Sequence, residues 1–360
     1  MSRILLAIDS LEKGGAQKNI VILANKLLAK NHDVSILTLD NKDNDFYSLN
    51  RNLKRFSLDS KIKSKNYFQA IYNNLKRIYK IFIILKKVSP TTIISFINTT
   101  NVILIISNFF FKKNIIISER NSFSLQKLPM VWQVLRNITY NYATAITCNS
   151  IDSFKDLKTK FQNKKIVYIQ NFISSPKILK LKKKKILLAI GRLHKQKRFD
   201  KLINDFKRFI QSNTHSGFKL VILGSGPEEN NLRKMISPNL SKKIIMPGKV
   251  NSQKYYNEAS IFILSSDYEG MPNVLLEAMS YSLPIIIYKA NSEIRRFLKH
   301  EISALILDEN KKNNNLANIL KNFEINSNKF IKLGKKAKKN FDIIDNERIY
   351  EKWNKIIKSK

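Results

Sequence analysis

The chain has 360 residues, of which 43% are hydrophobic, so it is long enough to form two sizeable cores. Its only cysteine is Cys148, which excludes a disulfide framework and is typical of a reducing cytosol. The first residues, MSRILLAIDS, lack the features of a signal peptide and predict a buried strand.

The formal net charge of +38 favours nucleic acid or an anionic membrane surface as a partner. The lysines are nevertheless spread through every segment and accompany many Asn and Ile residues, as in a compositionally biased genome. Part of the charge therefore needs no functional explanation. Because no RNA-binding signature is present, we expect no nucleic-acid partner. A non-enzymatic protein that binds nucleic acid or membranes remains an alternative.

The N-terminal half alternates strands and helices, starting with the strand RILLAID, a helix over about 18–30 and the strand DVSILTL. This alternation predicts a parallel sheet with ligands at the carboxyl ends of its strands. Gly14 and Gly15 lie in the first such loop, where small residues let the backbone approach a ligand. The loop lacks the G-x-G-x-x-G fingerprint of dinucleotide-binding proteins.

Metal binding receives little support from the sequence. Asp43 and Asp45 form a D-x-D pattern, but the polar loop around them predicts a solvated turn. The four histidines are scattered along the chain, and no His/Cys cluster has the spacing of metal ligands. We therefore expect no metal site.

Residues 64–88 predict a basic amphipathic helix. Its expected apolar stripe consists of Phe68, Ile71, Leu75, Ile78 and Phe82. Its other faces carry Lys65, Lys76, Arg77 and Lys80, with Tyr67, Tyr72 and Tyr79 between them. A helix in a membrane interface and a core-packed helix with a solvated face both fit this pattern.

The uncharged stretch from Ile93 to Phe111 has the length of a transmembrane helix and is flanked by lysines. Residues 98–101 (NTTN) place polar groups at its centre, where a bilayer makes them costly. A strand, a polar turn and a buried helix are the better prediction.

The next strand, Ile115–Ser118, runs into three polar residues that we expect to face a cleft: Glu119, Arg120 and Asn121. A Ser, Pro and lysine-rich stretch then predicts a domain boundary. We expect domains at 1–172 and 185–338, joined by a linker at 173–184 and followed by a terminal segment at 339–360.

The second half restarts the alternation. The strand ILLAIG ends at Gly191, and Arg192 and Lys197 follow near its carboxyl end, where an anion would bind. Arg supplies a bidentate fork and Lys a point charge, and both suit a diphosphate. A second loop contains the turn Gly224–Pro227.

The stretch from Ser265 to Pro284 carries two carboxylates, Glu269 and Glu277, eight residues apart. Glu269 lies in a loop that Gly270 and Pro272 keep irregular, and Glu277 lies in the helix that follows. The amides at the start of this helix suit a phosphate. Together these features predict a phosphorylated, polyhydroxylated ligand.

The order GRLHKQK, LVILGSGPE, IIMPGKV, SSDYEGMPNVLLEAM and LPII resembles the donor-binding domain of retaining family-4-type glycosyltransferases (glycosyl transferases group 1) of the GT-B fold, over about residues 186–307. GGAQK, SFINTTN and IISERN are similar to the branch that builds bacterial surface or protein-linked oligosaccharides, including N-acetylhexosamine transferases. The resemblance implies an α/β chain with two Rossmann-like doubly wound domains facing a central cleft. The N-terminal domain would bind the acceptor, the C-terminal domain would bind the donor, and the last helix would pack back on the N-terminal domain.

The resemblance also implies roles for individual residues. Arg192 and Lys197 would hold the donor diphosphate and stabilise the leaving nucleotide. Glu277 would bind the ribose hydroxyls and Glu269 the donor sugar. The further donor contacts that it implies are Gly15, Gly191, Gly224, Gly226, Gly248, Val250, Gly270, Met271, Asn273 and Val274.

Several positions depart from the family pattern, and three of these departures concern the site. Arg198 follows Lys197 where many relatives have Gly, Glu293 is only a tentative third acid, and Arg120 lies near the place of a cleft histidine that many relatives carry. These departures affect the acceptor chemistry more than donor binding.

The resulting hypothesis is retaining transfer of a hexose or N-acetylhexosamine from a UDP-linked donor to a polyprenyl-diphosphate-linked glycan, without an obligatory metal or other cofactor. The enzyme would act in surface polysaccharide assembly, such as O-antigen or capsule, at the cytoplasmic face of an anionic membrane. A sugar-nucleotide epimerase of the same architecture is the alternative. Retaining hydrolysis needs carboxyl groups about 5 Å apart that flank one bond. The resemblance implies that Glu269 and Glu277 contact different ends of one ligand, and this excludes hydrolysis.

Overall fold

A computed structural model describes residues 1–60, 66–179, 181–307 and 315–359. Residues 64 and 65 of the predicted basic helix, residue 180 of the predicted linker and residues 308–314 of the predicted second domain lie outside these ranges. The chain divides into two compact units. The first comprises Met1–Phe172 with Asn346–Lys360, and the second comprises Ile173–Asp345.

The strands, in chain order, are β1 (Arg3–Ile8), β2 (Asp33–Thr38), β3 (Lys54–Ser57), β4 (Thr92–Phe96), β5 (Asn114–Glu119), β6 (Ala145–Cys148), β7 (Lys165–Tyr168), β8 (Ile186–Ile190), β9 (Lys219–Leu223), β10 (Ile244–Gly248), β11 (Ile261–Leu264), β12 (Ile285–Ile287) and β13 (Leu305–Ile306).

The helices are α1 (Gly15–Ala29), α2 (Tyr67–Val88), α3 (Asn98–Asn108), α4 (Met130–Thr139), α5 (Ile151–Lys160), α6 (Phe199–Ser212), α7 (Glu229–Lys234), α8 (Gln253–Glu258), α9 (Asn273–Ser280), α10 (Ser292–Phe297), α11 (Leu316–Ile325), α12 (Ser327–Asp342) and α13 (Asn346–Lys358). Short 3₁₀ turns include Tyr140–Tyr142 and Lys195–Lys197.

The first unit is built on a parallel sheet with the strand order β3-β2-β1-β4-β5-β6-β7. Its central strands are almost uninterrupted apolar runs, as expected for strands covered on both faces. The order reverses between β1 and β4, so the loops after these two strands diverge and leave a ligand-sized crevice at the carboxyl edge.

The second unit repeats this plan with the order β10-β9-β8-β11-β12-β13. Here the order reverses between β8 and β11. The loops after these strands are 191–198 and 265–272, which contain six of the predicted donor residues: Gly191, Arg192, Lys197, Glu269, Gly270 and Met271. The topology therefore brings together segments that are about 70 residues apart in the sequence.

The predicted strand–turn–helix between Ile93 and Phe111 is present as β4 and α3. Ile97 joins them in the left-handed region, with φ 76°. Within the described ranges, no helix has the length and apolarity needed to cross a bilayer.

Helix α2 orients its apolar residues differently from the simple core-packed prediction. Ile81 and Leu85 are fully buried, whereas Phe68, Ile71 and Leu75 of the predicted stripe are exposed. The N-terminal part of the stripe therefore points to solvent, and only the C-terminal half of the helix contributes to the core.

The last helix, α13, belongs to the first unit and begins at Asn346, whereas residues 339–342 are the end of α12 in the second unit. Trp353 anchors α13: it is fully buried and stacks on Phe96 with ring centroids 5.9 Å apart. Its large apolar surface makes it a packing residue.

Helix α12 approaches the α9–β12 turn through Gly334 in its middle. A Cβ at this position would lie 2.2 Å from the carbonyl oxygen of Ser282, so only glycine allows this approach. The contact fixes the C-terminal end of α9, the helix that carries Glu277.

We expect Gly334→Ala to destabilise the protein by about 2 kcal/mol or more, because the added methyl group overpacks a backbone contact. Helix propensity alone predicts the opposite, a gain of about 1 kcal/mol. Urea unfolding checks the sign, with Lys336→Ala, an exposed position on the same helix, as the control. A more stable Gly334→Ala variant would contradict the close approach.

Candidate functional site

The loops after β8 and β11 are joined by hydrogen bonds. The amide of Asp267 donates to the carbonyl of Gln196 at 2.9 Å. The side chain of Gln196 donates to the carbonyl of Tyr268 at 2.7 Å, and the hydroxyl of Ser265 donates to the carbonyl of Lys197 at 2.6 Å. These bonds hold Lys197 in a fixed position relative to the second loop.

At the centre of this pair of loops, the Lys197 ammonium forms an ion pair with the Glu269 carboxylate. The two side chains are only 17% and 12% exposed, so water screens their attraction little. Losing either partner would leave the other charge unpaired in a poorly solvated place. The structure thus joins two residues for which the sequence predicted separate contacts, one to diphosphate and one to sugar.

Arg192 provides a second cation on the first of these loops. It is exposed, and within the described part of the chain its guanidinium makes no hydrogen bond or ion pair. It can therefore bind an incoming anion without first breaking an internal contact. The two predicted diphosphate residues differ in this respect, because Lys197 is already engaged with Glu269.

Arg198 occupies the position at which many relatives have Gly, and the structure explains that preference. Its φ of 49° lies in the left-handed region, where residues other than Gly are uncommon. The strain is offset by ion pairs, because its guanidinium donates to both carboxylate oxygens of Asp267, at 3.1 and 3.3 Å, and lies 3.4 Å from Asp200. Partial burial is the largest single influence and lowers the pKa of Arg198, but the hydrogen bonds and attraction from Asp267 and Asp200 together outweigh it and raise the pKa overall.

Three of the predicted donor glycines pack closely within the protein itself. Gly224 has φ 146°, and a Cβ there would lie 1.9 Å from the carbonyl oxygen of Gly191. A Cβ at Gly226 would lie 2.4 Å from the carbonyl oxygen of Leu193. At Gly191, the missing Cβ leaves room for the aliphatic part of Lys197, 3.2 Å away. These glycines bring the β9 loop against the loop that carries Arg192 and Lys197.

Gly248 differs from those three glycines. Its φ is 81°, and no described atom lies within 4 Å of the place where a Cβ would be. Its carbonyl accepts a hydrogen bond from the amide of Gly224 at 2.9 Å, so it continues the same group of loops. Val250, two residues later, is half-buried. The open space beside Gly248 leaves room for a planar group such as a base.

Glu277 is oriented by a tyrosine that the sequence analysis did not identify. The hydroxyl of Tyr256, on α8, lies 3.0 Å from Oε2 of Glu277 and 3.2 Å from the carbonyl oxygen of Val274. The Tyr256 ring stacks on Tyr281 with centroids 5.1 Å apart. Burial, and then the negative charge of Glu277, raise the pKa of Tyr256 well above its ordinary value, so the hydroxyl remains a donor.

The loop between Glu269 and α9 is fixed from one side by Asn291, another residue that sequence reasoning missed. Its side-chain amide donates to the carbonyls of Glu269 and Gly270, at 2.8 and 2.9 Å. Its side-chain oxygen accepts from the amide of Ile294 and caps α10. No motif distinguishes this residue from the many other Asn residues of the chain.

The remaining predicted residues of this segment differ in accessibility. Gly270 and Met271 are buried, whereas Asn273 and Val274 are half-buried at the start of α9. The tentative third acid, Glu293, is fully buried in the first turn of α10. The buried side chains of Met271 and Glu293 are therefore poorer candidates for direct contact with a ligand than those of Asn273 and Val274.

In the first unit, the prediction that Glu119 faces a cleft is wrong. Its carboxylate is fully buried at the end of β5. Asn98 donates to both of its oxygens at 3.1 Å, and the Tyr140 hydroxyl donates to one of them. Burial raises the pKa of Glu119, while these hydrogen bonds and the nearby Arg136 lower it. Glu119 organises the interior beneath α3 and does not face a substrate.

Arg120, the next residue, lies against two aromatic rings. Its guanidinium is 4.3 Å from the Phe96 centroid and 5.5 Å from that of Trp353, and it donates to the Asn171 side chain at 3.1 Å. Desolvation lowers the pKa of Arg120 to about 9, and the residue stays charged at neutral pH. Its Nε is buried without a hydrogen-bond partner among the described residues.

The other N-terminal predictions fall on loops at the same edge of the sheet or near it. Gly15 is the first residue of α1, and the carbonyl of Gly14 before it accepts a hydrogen bond from Tyr47 at 2.9 Å. Asn121 follows Arg120 and is half-buried, and its backbone carbonyl accepts from Ser153. Of the D-x-D pair, Asp45 binds Arg55 at 3.0 Å. Among the described residues, no group of three or more His, Cys, Asp or Glu side chains is placed to hold a metal ion.

The chain is similar to known glycosyltransferases in sequence and in fold. The profile of the family "Glycosyl transferases group 1" matches residues 171–340. A Campylobacter jejuni enzyme named GalNAc-alpha-(1->4)-GalNAc-alpha-(1->3)-diNAcBac-PP-undecaprenol alpha-1,4-N-acetyl-D-galactosaminyltransferase is 27% identical over 99% of this chain and 98% of its own. An Escherichia coli enzyme named UDP-Gal:alpha-D-GlcNAc-diphosphoundecaprenol alpha-1,3-galactosyltransferase is 32% identical over 37% of this chain and 35% of its own.

Among solved structures, Staphylococcus aureus TarM in a complex that contains UDP superposes with a TM-score of 0.79. The superposition covers 100% of both chains at 15% sequence identity, so it is a likeness of fold. The GT-B architecture predicted from the motifs is confirmed, with two parallel sheets of 7 and 6 strands. The protein is a glycosyltransferase of the GT-B fold, and residues 171–340 are its glycosyl transferases group 1 domain.

Proposed function

We propose that this glycosyltransferase moves a hexose or N-acetylhexosamine from a UDP-linked donor to a polyprenyl-diphosphate-linked glycan in the assembly of a surface polysaccharide or oligosaccharide. The names of the Campylobacter and Escherichia relatives describe transfer to undecaprenyl-diphosphate-linked sugars, and the Escherichia enzyme takes its sugar from UDP-Gal. The observation that carries the proposal is the Lys197–Glu269 ion pair beside a loop cation, Arg192, whose guanidinium has no partner among the residues that the structure describes.

In this proposal the two cations act on the leaving group. Negative charge develops on the diphosphate as the bond to the sugar breaks, and preorganised cations at that place stabilise the transition state. Arg192 binds the diphosphate directly. Lys197 is held by Glu269, so its ammonium is already positioned before the donor arrives, and reorganisation is small.

Glu269 then binds the donor sugar. A carboxylate held by Lys197 can accept hydrogen bonds from sugar hydroxyls and can stabilise positive charge on the anomeric carbon. We propose that the acceptor hydroxyl attacks from the face that the diphosphate leaves, so that the configuration is retained. In this mechanism Glu269 and Glu277 bind different parts of one donor and do not form an acid–base pair.

Glu277 holds the nucleoside in this assignment. A carboxylate can accept from two neighbouring hydroxyls, which suits the 2′ and 3′ positions of a ribose. Tyr256 fixes the orientation of Glu277 through Oε2. The space beside Gly248 would receive the base, and the amides of Asn273 and Val274 at the start of α9 would approach the sugar and the phosphate.

We propose further that transfer needs no metal ion, because Arg192 and Lys197 supply the positive charge at the diphosphate. The enzyme would work at the inner, cytoplasmic face of the cell membrane as a peripheral protein, with the acceptor bound by the N-terminal unit. Arg120 and Asn121 are the acceptor-side candidates that remain, since Glu119 is buried.

We expect Arg192→Ala and Lys197→Ala each to weaken UDP binding at least tenfold, because each removes a charge-assisted contact to the diphosphate. Isothermal titration calorimetry with UDP measures the change. Lys195→Ala, an exposed lysine in the same 3₁₀ turn, is the matched control and should bind as the wild type does. Glu269→Gln should keep UDP binding, since Lys197 is then free for the diphosphate, but should lose transfer. Unchanged affinity in Arg192→Ala and Lys197→Ala would refute the assignment.

Tyr256→Phe should weaken UDP binding about fivefold, because Glu277 loses the bond that orients it toward the ribose. The effect should be smaller for 2′-deoxy-UDP, which offers Glu277 one hydroxyl fewer. Because the raised pKa keeps Tyr256 protonated, the ratio between wild type and variant should stay constant from about pH 6 to 9. Tyr281→Phe, which keeps the ring stack, is the control. An equal loss for UDP and 2′-deoxy-UDP would place Glu277 elsewhere.

The overall reaction is tested by incubating the protein with a panel of nucleotide sugars and a short polyprenyl-diphosphate-linked sugar, followed by mass spectrometry. We expect one added hexose or N-acetylhexosamine, an α linkage from an α-linked donor by NMR, and equal rates with and without EDTA. Conversion of the nucleotide sugar to its epimer without an acceptor would support the epimerase instead. Loss of activity in EDTA that added Mg²⁺ restores would overturn the metal-independent mechanism.

A further inference from the structure

We propose that the first unit docks on an anionic bilayer through one continuous surface made by α2, the turn after α3, and α4. We call it the α2–α4 surface. It consists of Phe68, Ile71, Tyr72, Leu75, Tyr79 and Ile83 on α2, Phe109 and Phe110 after α3, Met130, Val131, Val134 and Ile138 on α4, and Tyr142, all of them exposed. The biological role of this docking rests on the proposed function, in which the acceptor is linked to a membrane lipid. The exposed surface itself is observed independently of that function.

The exposed apolar residues of α2 form a stripe. They recur at intervals of three and four residues, the spacing that places side chains on one face of a helix. Ile81 and Leu85, on the opposite side, are buried against the sheet. Helix α2 is therefore apolar toward the core and again apolar toward solvent, whereas a helix at an ordinary protein surface has a polar outer face.

Aromatic contacts connect this stripe to the turn after α3. The Phe82 ring lies 4.8 Å from Phe111 and 6.2 Å from Phe110. Phe109 in turn lies 6.3 Å from Tyr142, just beyond α4. Exposed residues of α4 continue the surface at intervals of about one turn. Phe110 is 78% exposed and Met130 is 82% exposed, so large apolar side chains on neighbouring elements project into solvent.

The charge around this surface identifies the partner as a lipid bilayer with anionic head groups. Between Asp59 and Asp152 the sequence contains one acidic residue, Glu119, and it is buried. Exposed cations in the same stretch include Lys76, Lys86, Lys87, Lys112 and Lys127. Apolar and aromatic side chains with exposed lysines beside them match the interface of an anionic membrane, where rings and aliphatic chains enter the head-group layer and lysines meet phosphates.

Two of the cations predicted for this role have another function. Arg77 donates to the carbonyl of Ser60 at 3.1 Å, and Lys80 donates to the carbonyl of Leu58 at 2.6 Å. Desolvation lowers the pKa of Arg77 accordingly. These side chains fix α2 to the segment that follows β3. The lysines available to lipid are those at its exposed face and C-terminal end, Lys76, Lys86 and Lys87.

The test is co-sedimentation of the full-length protein with vesicles of phosphatidylglycerol and phosphatidylethanolamine, compared with phosphatidylcholine vesicles, at low and high salt. The variant combining Phe68→Ser, Phe110→Ser and Met130→Ser removes one exposed side chain from each element. It should reduce binding to the anionic vesicles at least tenfold. Lys86→Glu with Lys87→Glu should do the same at low salt and less at high salt, because salt screens exposed charges.

The second unit offers matched controls: Ile325→Ser with Ile343→Ser for exposed apolar residues, and Lys335→Glu with Lys336→Glu for an exposed lysine pair. These should bind vesicles as the wild type does. Equal binding by the Phe68/Phe110/Met130 variant and its control would overturn the proposal. A second result would also overturn it: the variant binds vesicles as the wild type does, and the wild type is a dimer that the variant converts to a monomer. The surface would then be the contact between two copies of this chain. UDP affinity, measured on the same samples, reports the donor site separately, so failure of one proposal does not imply failure of the other.

Discussion

The ion pair between Lys197 and Glu269 is the interaction on which the donor site depends. Its partners come from the loops after β8 and β11, which are distant in sequence but neighbours in space because these two strands pair side by side in the sheet. A poorly solvated pair of this kind holds its geometry only if the backbone on both sides is fixed. Gln196 and Ser265 fix it through hydrogen bonds, and Arg198 accepts a left-handed conformation that Asp267 helps to hold.

The glycines of the second unit illustrate why a motif can be correct while its physical reason is different. Gly224 and Gly226 were assigned to ligand contact from the motif, yet each lies against a backbone carbonyl of the Gly191–Leu193 segment. They determine where Arg192 and Lys197 can be, whether or not they also touch a ligand. Gly248 shares the positive φ of Gly224 but, by contrast, has open space beside it. A motif of several glycines therefore combines loop-packing positions with positions that leave room for a ligand.

The sequence predicted the two parallel sheets and the loops that carry the donor residues, because alternating apolar runs and loop motifs are local patterns. It did not predict Tyr256 or Asn291, since each acts across a distance in sequence, on Glu277 and on the carbonyls of Glu269 and Gly270. It also failed to predict the burial of Glu119, because the polar residues that enclose it, Asn98 and Tyr140, belong to other helices and turns. Such properties arise from tertiary contacts that no local pattern contains.

The large positive charge does not need one explanation, either biased amino-acid composition or function, because individual lysines and arginines have different roles. Arg77 and Lys80 bind backbone carbonyls and would be needed for the position of α2 even without a membrane. Lys86 and Lys87 are exposed beside an apolar surface in a stretch whose single acid is buried. A bilayer responds to the field and the apolar area that it meets, whatever mutational bias produced the lysines. Because the same bias acts on the whole chain, the distribution of acidic residues is more informative than the number of cations. Between Asp59 and Asp152 the only acidic residue is the buried Glu119, so the positive charge of this stretch is not offset by acids at its surface.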